Sequence, residues 1–294
     1  MTLVRSLALM TVLLSVGTLL HSEHVDLLIR NGVIYDGIGG EPMRGDVAVA
    51  DGIVVARGAL AGYTADRTLD AGGLAVAPGF INVLSWATDS LIHDGRAMSV
   101  VKQGVTLEIF GEGNSYGPVN AAIKEEMLST QSDIRYDITW TTLGGYLETL
   151  VQKGVSPNVA SFVGATTVRV HEVGYEDRQP TPAELRRMQE LVRQAMKEGA
   201  LGVGSSLIYA PAAYARTDEL IAITQAAGEF DGAYISHMRS EGDRLLEALD
   251  ELIRIAREAN VHAEIYHLKA AGQKNWPKMR EAIAKIEAAR KQGL

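Results

Sequence analysis

The sequence predicts an α/β protein whose main part is an incomplete, TIM-like (β/α)8 barrel, preceded by a small N-terminal β module. Short apolar strands and amphipathic helices alternate from about Leu74 onward, which is typical of a parallel sheet with helical crossovers. Before that point the chain has β-like stretches with turn residues and no helical pattern. A doubly wound sheet would also alternate strands and helices, but no G-x-G-x-x-G motif follows an early strand. The barrel is therefore the favoured fold.

Residues 1–22 differ from the rest of the chain and predict an export signal. Arg5 precedes an apolar run from Leu7 to Leu20, and Ser15-Val16-Gly17 offers small residues for cleavage. A run of about 14 residues suits a secretory signal better than a membrane span, which needs about 20. We expect an exported, periplasmic protein that has a signal peptide or, alternatively, an uncleaved N-terminal anchor. No later stretch is long and apolar enough to cross a bilayer.

Residues 23–73 are predicted to form the β module. Asp26 to Tyr35 contains the turn pair Asn31-Gly32, and Asp46 to Arg57 contains Asp51-Gly52. Both pairs are strong signals for a two-residue β-hairpin turn. Two isolated hairpins are marginally stable, so the module needs a further packed layer.

Residues 74–294 are predicted to form the partial barrel. Thr181-Pro182-Ala183-Glu184 is a capping box that opens a helix to about Glu198, and further helices span 217–228 and 245–259. Gly293 stands where a helix would end before a seventh strand, so we expect strands seven and eight to lie beyond Leu294. The six expected strands are Leu74 to Phe80, Thr106 to Phe110, Asn158 to Gly164, Leu201 to Ser205, Ala233 to His237 and His262 to His267.

Composition excludes several classes of function. The chain has 294 residues, 47% of them hydrophobic and 22% charged, as in an ordinary globular protein with a sizeable core. A formal net charge of −8 without a basic cluster argues against a nucleic-acid partner. The absence of cysteine excludes disulfides and thiolate metal ligands. The sequence does not specify an oligomeric state.

Two predicted strands each close on a histidine, at His237 and His267. Barrel enzymes place their catalytic groups at the carboxyl ends of the strands, so both imidazoles are expected at one mouth. Converging imidazoles suit Zn²⁺, which then needs further ligands and an open position for water. A single strand histidine is more often a core or surface residue, but two at matching positions favour a metal site.

Three sequence blocks carry a resemblance to a known family. Two of them are specific, Ser236-His237-Met238-Arg239-Ser240-Glu241-Gly242 and His267-Leu268-Lys269; Ala77-Pro78-Gly79-Phe80-Ile81 is shared more widely. With these blocks, the sequence resembles the N-acyl-D-amino-acid deacylases (D-aminoacylases) of the amidohydrolase superfamily from about Asp26 to the end. By this resemblance, His237 and His267 fall on metal-binding histidines, and Lys269 falls on a lysine that contacts the substrate carboxylate. The implied function is hydrolysis of the amide of an N-acyl-D-amino acid by metal-activated water, with zinc as the cofactor.

The sequence departs from the family pattern at the first strand. Leu84 and Trp86 stand where the superfamily usually has an H-x-H metal pair, and neither can bind a metal. The expected zinc site is therefore mononuclear.

At the second strand the family's cysteine ligand is missing. Gly113 aligns with that cysteine, and Glu112 precedes it between two glycines. Glu112 is either a replacement carboxylate ligand or a solvated loop residue. The family's acid–base aspartate belongs to strand eight, so the catalytic residue is expected beyond Leu294 and remains unknown.

Other polar residues have less specific interpretations. Arg239 could anchor a substrate carboxylate, or it could pair with Glu241 or Asp243. Asp89 and Asp94 are expected in a surface loop near the mouth, and His171 in a loop after the third strand. His262 opens a strand at the opposite face and is expected to be structural.

Two alternatives to an active deacylase remain open at this point. One is a catalytically silent relative that binds a ligand or partner without turnover, which the losses at the first two strands favour. The other is a truncated reading frame, because six strands leave two unpaired sheet edges. The sequence leaves open the acyl group, the side chain and the preference for D or L substrates.

Overall fold

The computed structural model describes residues 23–294, which divide into two compact units, one ending at Pro78 and the other spanning Gly79–Leu294. The predicted leader, with Arg5 and the run from Leu7 to Leu20, lies outside the described residues. None of the helices in the described part of the chain is long and apolar enough to cross a membrane.

The first unit is a five-stranded sheet with its own small core. Strand β1 is antiparallel to β2 and parallel to β4 and β5, and the strand order is β3-β2-β1-β4. Val25, Leu28 and Ala48 are buried and pack together with Leu60. The strands are β1 (Glu23–Ile34), β2 (Met43–Ala50), β3 (Ile53–Gly58), β4 (Tyr63–Asp70) and β5 (Ala75–Val76).

One of the two predicted hairpin turns is confirmed and the other is wrong. Asp51 and Gly52, both with positive φ, connect the antiparallel strands β2 and β3. Asn31-Gly32 lies inside β1. The pairing register between β1 and β2 shifts at this point, and β1 continues beyond it. Asn31 has φ 58°, and its side-chain amide donates to Asp70 while its backbone N–H donates to Asp46. The left-handed residue therefore forms a bulge, because neighbouring strands on both sides hold β1 in place.

The predicted first barrel strand, Leu74 to Phe80, is divided between the two units. Ala75–Val76 pairs with β1 of the first unit, whereas Phe80–Asn82 pairs with the next strand of the second unit. Pro78 cannot donate to a strand ladder, and a Cβ on Gly79 would lie 2.1 Å from Thr106 Oγ1. The Pro78-Gly79 pair therefore interrupts the strand at the unit boundary. The predicted domain limits at 73 and 74 stay predictions.

The second unit contains two parallel sheets, with strand orders β6-β7-β8 and β9-β10-β11-β12. Only Phe162 separates β8 from β9, so these two segments occupy one predicted strand position. Neighbouring strands follow one another along the chain, as in a (β/α) barrel. The strands are β6 (Phe80–Asn82), β7 (Val105–Phe110), β8 (Asn158–Ser161), β9 (Val163–Gly164), β10 (Gly202–Ser206), β11 (Ala233–His237) and β12 (Ala263–Ile265).

Helices connect these strands, and the predicted helix signals are confirmed. Thr181 and Glu184 form the predicted capping box on α6, and Asn260 ends α8 in the left-handed conformation. The helices are α1 (Thr88–His93), α2 (Met98–Val101), α3 (Ala121–Thr130), α4 (Leu143–Lys153), α5 (Ala165–Glu172), α6 (Pro182–Lys197), α7 (Thr217–Gly228), α8 (Leu245–Ala259) and α9 (Lys278–Arg290), with 3-10 turns at Ala212–Tyr214 and Gln273–Asn275.

The strands bury apolar side chains on both faces. One face packs on the helices in a large core that includes Val203 and Tyr234. The other face carries a smaller cluster of Ile109, Phe162, Ile235 and Tyr266. Each such side chain contributes about 1.5–3 kcal/mol when fully buried. Because side chains alternate along a strand, Ile235 and His237 share a face, and the smaller cluster supports the strand ends where the histidines lie.

Candidate metal centre

Three potential metal ligands lie at the carboxyl ends of parallel strands. Glu112 follows β7, His237 is the last residue of β11, and His267 comes just after β12. Glu112 Oε1 lies 3.0 Å from His237 Nδ1 and 3.1 Å from His267 Nε2. The two imidazole rings are 4.5 Å apart at nearly right angles. The structure thus brings together the three residues that the sequence predicted as ligands.

The spacing of these atoms matches what a small divalent cation requires. A tetrahedral zinc with bonds of about 2.0–2.1 Å separates its ligand atoms by about 3.3 Å. The measured separations of 3.0 and 3.1 Å are close to that value. Only 8% of the His237 side chain and 9% of the Glu112 side chain are exposed, and His237 Nε2 is buried without a hydrogen-bond partner among the described residues. Two imidazoles and one carboxylate are a known ligand set for catalytic zinc.

The backbone around Glu112 explains why glycine, and not cysteine, occupies position 113. Gly113 has φ 77°, and a Cβ there would lie 2.7 Å from Ser206 Cβ and 3.0 Å from its backbone nitrogen. Gly111 has φ 105°, also in the region that favours glycine. The chain therefore turns sharply on both sides of Glu112, and this residue carries the side chain that reaches the histidines.

The three residues line an open cleft of about 590 Å³. Leu84 and Trp86, which replace the expected H-x-H pair, also line this cleft. Trp86 donates its indole N–H to Glu112 Oε2 at 3.1 Å. Since Oε2 is held in this way, Oε1 is the oxygen directed at both imidazoles. The remaining lining residues are Asn114, Thr166, Ser206, Tyr209, Ala210 and Ala212.

Glu241 is a site residue that the sequence reasoning missed. Its Oε1 lies 3.1 Å from His267 Nδ1 and 3.5 Å from His237 Nε2, so it contacts the imidazoles on the side away from Glu112. The sequence interpretation offered Glu241 only as a partner for Arg239. Its place in the Ser236–Gly242 block, four residues after His237, was the signal that could have identified it.

Lys269 lies at the edge of this group. Its Nζ contacts Glu241 Oε1 and is 2.8 Å from His267 Nδ1, and 48% of its side chain is exposed. The ammonium is therefore accessible to a substrate carboxylate, while Glu241 balances its charge.

The structure does not bring Arg239 to the cleft. Arg239 forms a two-pronged ion pair with Glu251 at 2.9 and 3.0 Å, and donates to the carbonyls of Ala213 and Ala215. Neither Glu241 nor Asp243 is its partner, so the predicted pairing with them is wrong. β11 ends at His237, so Arg239 lies beyond the strand ladder, and the substrate contact expected of Arg239 stays a prediction.

Two predicted loop residues lie in helices instead. Asp89, in α1, accepts hydrogen bonds from the phenols of Tyr136, at 2.7 Å, and Tyr116. Burial, together with the bond to Asp89, raises the pKa of Tyr116 to about 12. His171 lies in α5, where its Nδ1 is 2.9 Å from Glu172. Both side chains therefore have polar partners within the fold.

Tyr266 directly precedes His267, and the centroids of their rings are 6.1 Å apart. Burial raises the pKa of Tyr266, and the nearby charges of Glu112 and Glu264 raise it further. Tyr266 therefore stays a neutral phenol at physiological pH and adds no charge to the centre. His262 precedes β12 at its other end, as expected of a structural residue.

The chain is similar to several known proteins, although no family model matches it. The D-aminoacylase of Alcaligenes xylosoxydans xylosoxydans is 33% identical over 272 residues, which are 91% of this chain and 55% of the relative. A crystal structure of D-aminoacylase, described as defining a novel subset of amidohydrolases, matches with a TM-score of 0.79 and 31% identity over 90% of this chain and 56% of its own. A further study of D-aminoacylase concerns its binuclear metal centre, with one-metal activation and second-metal attenuation.

The N-acyl-D-glutamate deacylase of Bordetella bronchiseptica is similar to the same extent. It was solved with zinc and a phosphonate inhibitor that mimics the tetrahedral intermediate, and it matches with a TM-score of 0.78 and 30% identity over 92% of this chain and 57% of its own. The chain spans about half the length of the curated relatives it matches. The resemblance inferred from the sequence and the predicted barrel fold are both confirmed by these similarities.

Proposed function

We propose that this chain, as a homologue of the N-acyl-D-amino-acid deacylases of the amidohydrolase superfamily, hydrolyses the amide bond of N-acyl-D-amino acids. The products would be a carboxylate and the free D-amino acid. The observation that carries the proposal is the convergence of Glu112, His237 and His267 at one mouth, where Glu112 Oε1 lies 3.0 Å from His237 Nδ1 and 3.1 Å from His267 Nε2. The chain also retains Lys269 beside this group, where the family resemblance places a lysine that contacts the substrate carboxylate.

The residues of the centre have separate tasks. Glu112, His237 and His267 would hold one zinc ion, which when bound supplies a Lewis acid that polarises an acyl carbonyl and activates water. The indole N–H of Trp86 fixes Glu112 and directs its free oxygen inward. The exposed ammonium of Lys269 would pair with the carboxylate of the substrate and so orient the amide over the cleft.

We propose a mononuclear centre. Leu84 and Trp86 line the cleft where the superfamily's H-x-H pair would supply ligands, and neither an isobutyl group nor an indole can coordinate zinc. The cleft therefore offers apolar surface beside the ligand group, which suits the acyl chain of a substrate.

We also propose that the protein is exported. This rests on Arg5 and the apolar run from Leu7 to Leu20. Cell fractionation with an antibody against the chain tests it: recovery with the periplasmic contents supports export, and recovery with the cytoplasm refutes it.

The activity is tested by incubating the purified, zinc-loaded chain with N-acetyl derivatives of glutamate, aspartate and leucine in both enantiomers. Free amino acid is measured by a chiral separation. The expected result is slow release from D substrates, because no acid–base residue is assigned among the described residues. Release should be abolished in His237→Ala and should show a raised KM in Lys269→Met, which keeps the length of the side chain but not its charge. Release that persists in His237→Ala, or no release from any substrate by protein that holds zinc, would contradict the proposal.

A further inference from the structure

The two imidazoles of the metal centre lie between two carboxylates. Glu112 Oε1 is close to Nδ1 of His237 and Nε2 of His267. The opposite nitrogens, Nε2 of His237 and Nδ1 of His267, are 3.5 and 3.1 Å from Glu241 Oε1. Each ring thus has one nitrogen directed at Glu112 and the other directed at Glu241.

We propose that Glu241 is a positioning residue, which accepts the imidazole N–H groups of His267 and His237 and so keeps their other nitrogens unprotonated toward Glu112. Only an unprotonated ring nitrogen can bind a metal. A carboxylate that accepts the other N–H fixes the tautomer and the orientation of a metal-binding imidazole. The inference rests on the proposed function, because it names the group that prepares the ligands of that centre.

Burial supports this role for Glu241. The side chain of Glu241 is 15% exposed and that of His237 is 8% exposed, so water has little access to the nitrogen and oxygen that face each other. His237 Nε2 is buried and has no hydrogen-bond partner among residues 23–294. A buried N–H without an acceptor costs free energy, and Glu241 Oε1, at 3.5 Å, needs a movement of about 0.5 Å to accept it.

Lys269 favours the tautomer of His267 opposite to the one that Glu241 favours, so the effect of removing Glu241 can be predicted. Its Nζ is 2.8 Å from His267 Nδ1 and can only donate a hydrogen bond, which requires Nδ1 to be unprotonated. The proton would then lie on Nε2 and block metal binding. Lys269 also contacts Glu241, so the carboxylate can accept both the ammonium and the imidazole N–H once Nζ donates to Glu241 and no longer to Nδ1. With Glu241 present, the proton is expected on Nδ1; without it, Lys269 should move the proton to Nε2.

The position of the protons can be read directly in the full chain without metal. Long-range ¹H–¹⁵N spectra of protein labelled at its seven histidines report which ring nitrogen carries a proton, with assignments from His237→Asn and His267→Asn. The expected result is N–H on Nδ1 of His267 and on Nε2 of His237, with the His267 proton shifting to Nε2 in Glu241→Gln. Spectra of both histidines that are the same in wild type and Glu241→Gln would overturn the proposal.

The affinity for Zn²⁺ provides a second readout, measured by competition with a fluorescent chelator. Loss of a group that orients metal ligands typically weakens affinity 10–100-fold, and we expect a weakening in this range for Glu241→Gln. Glu247→Gln is the matched control, because Glu247 is an exposed carboxylate in the first turn of α8 that does not line the cleft. Equal affinities in wild type and Glu241→Gln would refute the role of Glu241 toward the metal.

The two proposals fail in different ways. If wild type binds no more zinc than His237→Ala/His267→Ala, the proposed metal-dependent function fails, and the metal-free spectra alone decide the role of Glu241. If wild type binds zinc and Glu241→Gln changes neither affinity nor proton positions, the function stands and the role of Glu241 is wrong. Circular dichroism of each variant checks that the fold is retained, and Glu241→Asp should restore part of the effect.

Discussion

Replacing Trp86 by phenylalanine removes one hydrogen-bond donor from the metal centre and keeps an aromatic ring in its place. The indole N–H of Trp86 is 3.1 Å from Glu112 Oε2. Without it, the Glu112 carboxylate is free to rotate, and its Oε1 is no longer held toward His237 and His267. The expected effect is a weaker affinity for Zn²⁺ with an unchanged fold.

The size of the effect follows from the exposure of the bond. A hydrogen bond to a charged group contributes about 1.5–3 kcal/mol. Trp86 is 62% exposed, so water can replace the lost N–H in part, and the lower end of this range applies. A loss of about 1.4 kcal/mol corresponds to a roughly 10-fold increase in the Kd for zinc.

Competition with a fluorescent chelator measures this Kd in Trp86→Phe beside wild type. Trp276→Phe is the control, because Trp276 is also an exposed indole but does not line the cleft. A Kd for Trp86→Phe within twofold of wild type would refute the reasoning that the indole orients Glu112. A loss of affinity in Trp276→Phe of the same size would show that the effect does not arise at the centre.

Three further predictions concern the fold around the site. Arg169→Met leaves the buried carboxylate of Glu219 without its partner at 2.6 Å and should lower the free energy of unfolding, measured in urea, by about 3–5 kcal/mol. The double variant Arg169→Met/Glu219→Leu should recover most of this loss, and an unchanged unfolding midpoint in the single variant would contradict the prediction. The hydrogen bonds from Arg178 hold the pKa of Glu184 well below its ordinary value of 4.5. The ionised carboxylate therefore stabilises the fold above pH 4.5, and this contribution is lost as pH falls through the folded pKa. The loss of stability in Glu184→Gln relative to wild type should shrink below about pH 4.5, and a loss that does not depend on pH would contradict this. Gly113→Cys should lower the free energy of unfolding by about 1–3 kcal/mol, because position 113 has φ 77° and no room for a Cβ. An unchanged free energy of unfolding would show that the loop adapts to the side chain.

The sequence was informative wherever local chemistry decides the structure. The capping box at Thr181 and Glu184 and the left-handed Asn260 mark helix ends through hydrogen bonds within a few residues. The strand from Ala233 to His237 was predicted with its observed bounds. These signals place His237 at a strand end, which is why its share in the centre could be predicted.

The sequence was misleading where contacts between distant segments determine the local structure. Asn31-Gly32 has the chemistry of a turn, yet Asp46 and Asp70 from neighbouring strands hold it inside β1 as a bulge. Pro78-Gly79 divides one apolar run between two sheets. Both outcomes depend on which strands pair, and pairing partners far apart in the chain leave no local signal.

In the candidate site, too, local signals were informative and contacts between distant segments were not predicted. The sequence interpretation identified Glu112, His237 and His267, since Glu112 follows a predicted strand and each histidine closes one. It missed the contacts of Glu241 and Trp86, because these depend on side-chain directions across three strand ends. The sequence interpretation also missed the ion pair of Arg239 with Glu251, since Glu251 comes from α8, the helix that follows β11.

The zinc content of the purified chain tests the central claim most directly. After loading with zinc and dialysis, elemental analysis should give one zinc per chain in wild type and none above background in His237→Ala/His267→Ala. X-ray absorption at the zinc edge should show nitrogen and oxygen neighbours near 2.0–2.1 Å. A wild-type content no higher than that of the double variant, or two zinc ions per chain, would contradict a mononuclear centre of Glu112, His237 and His267.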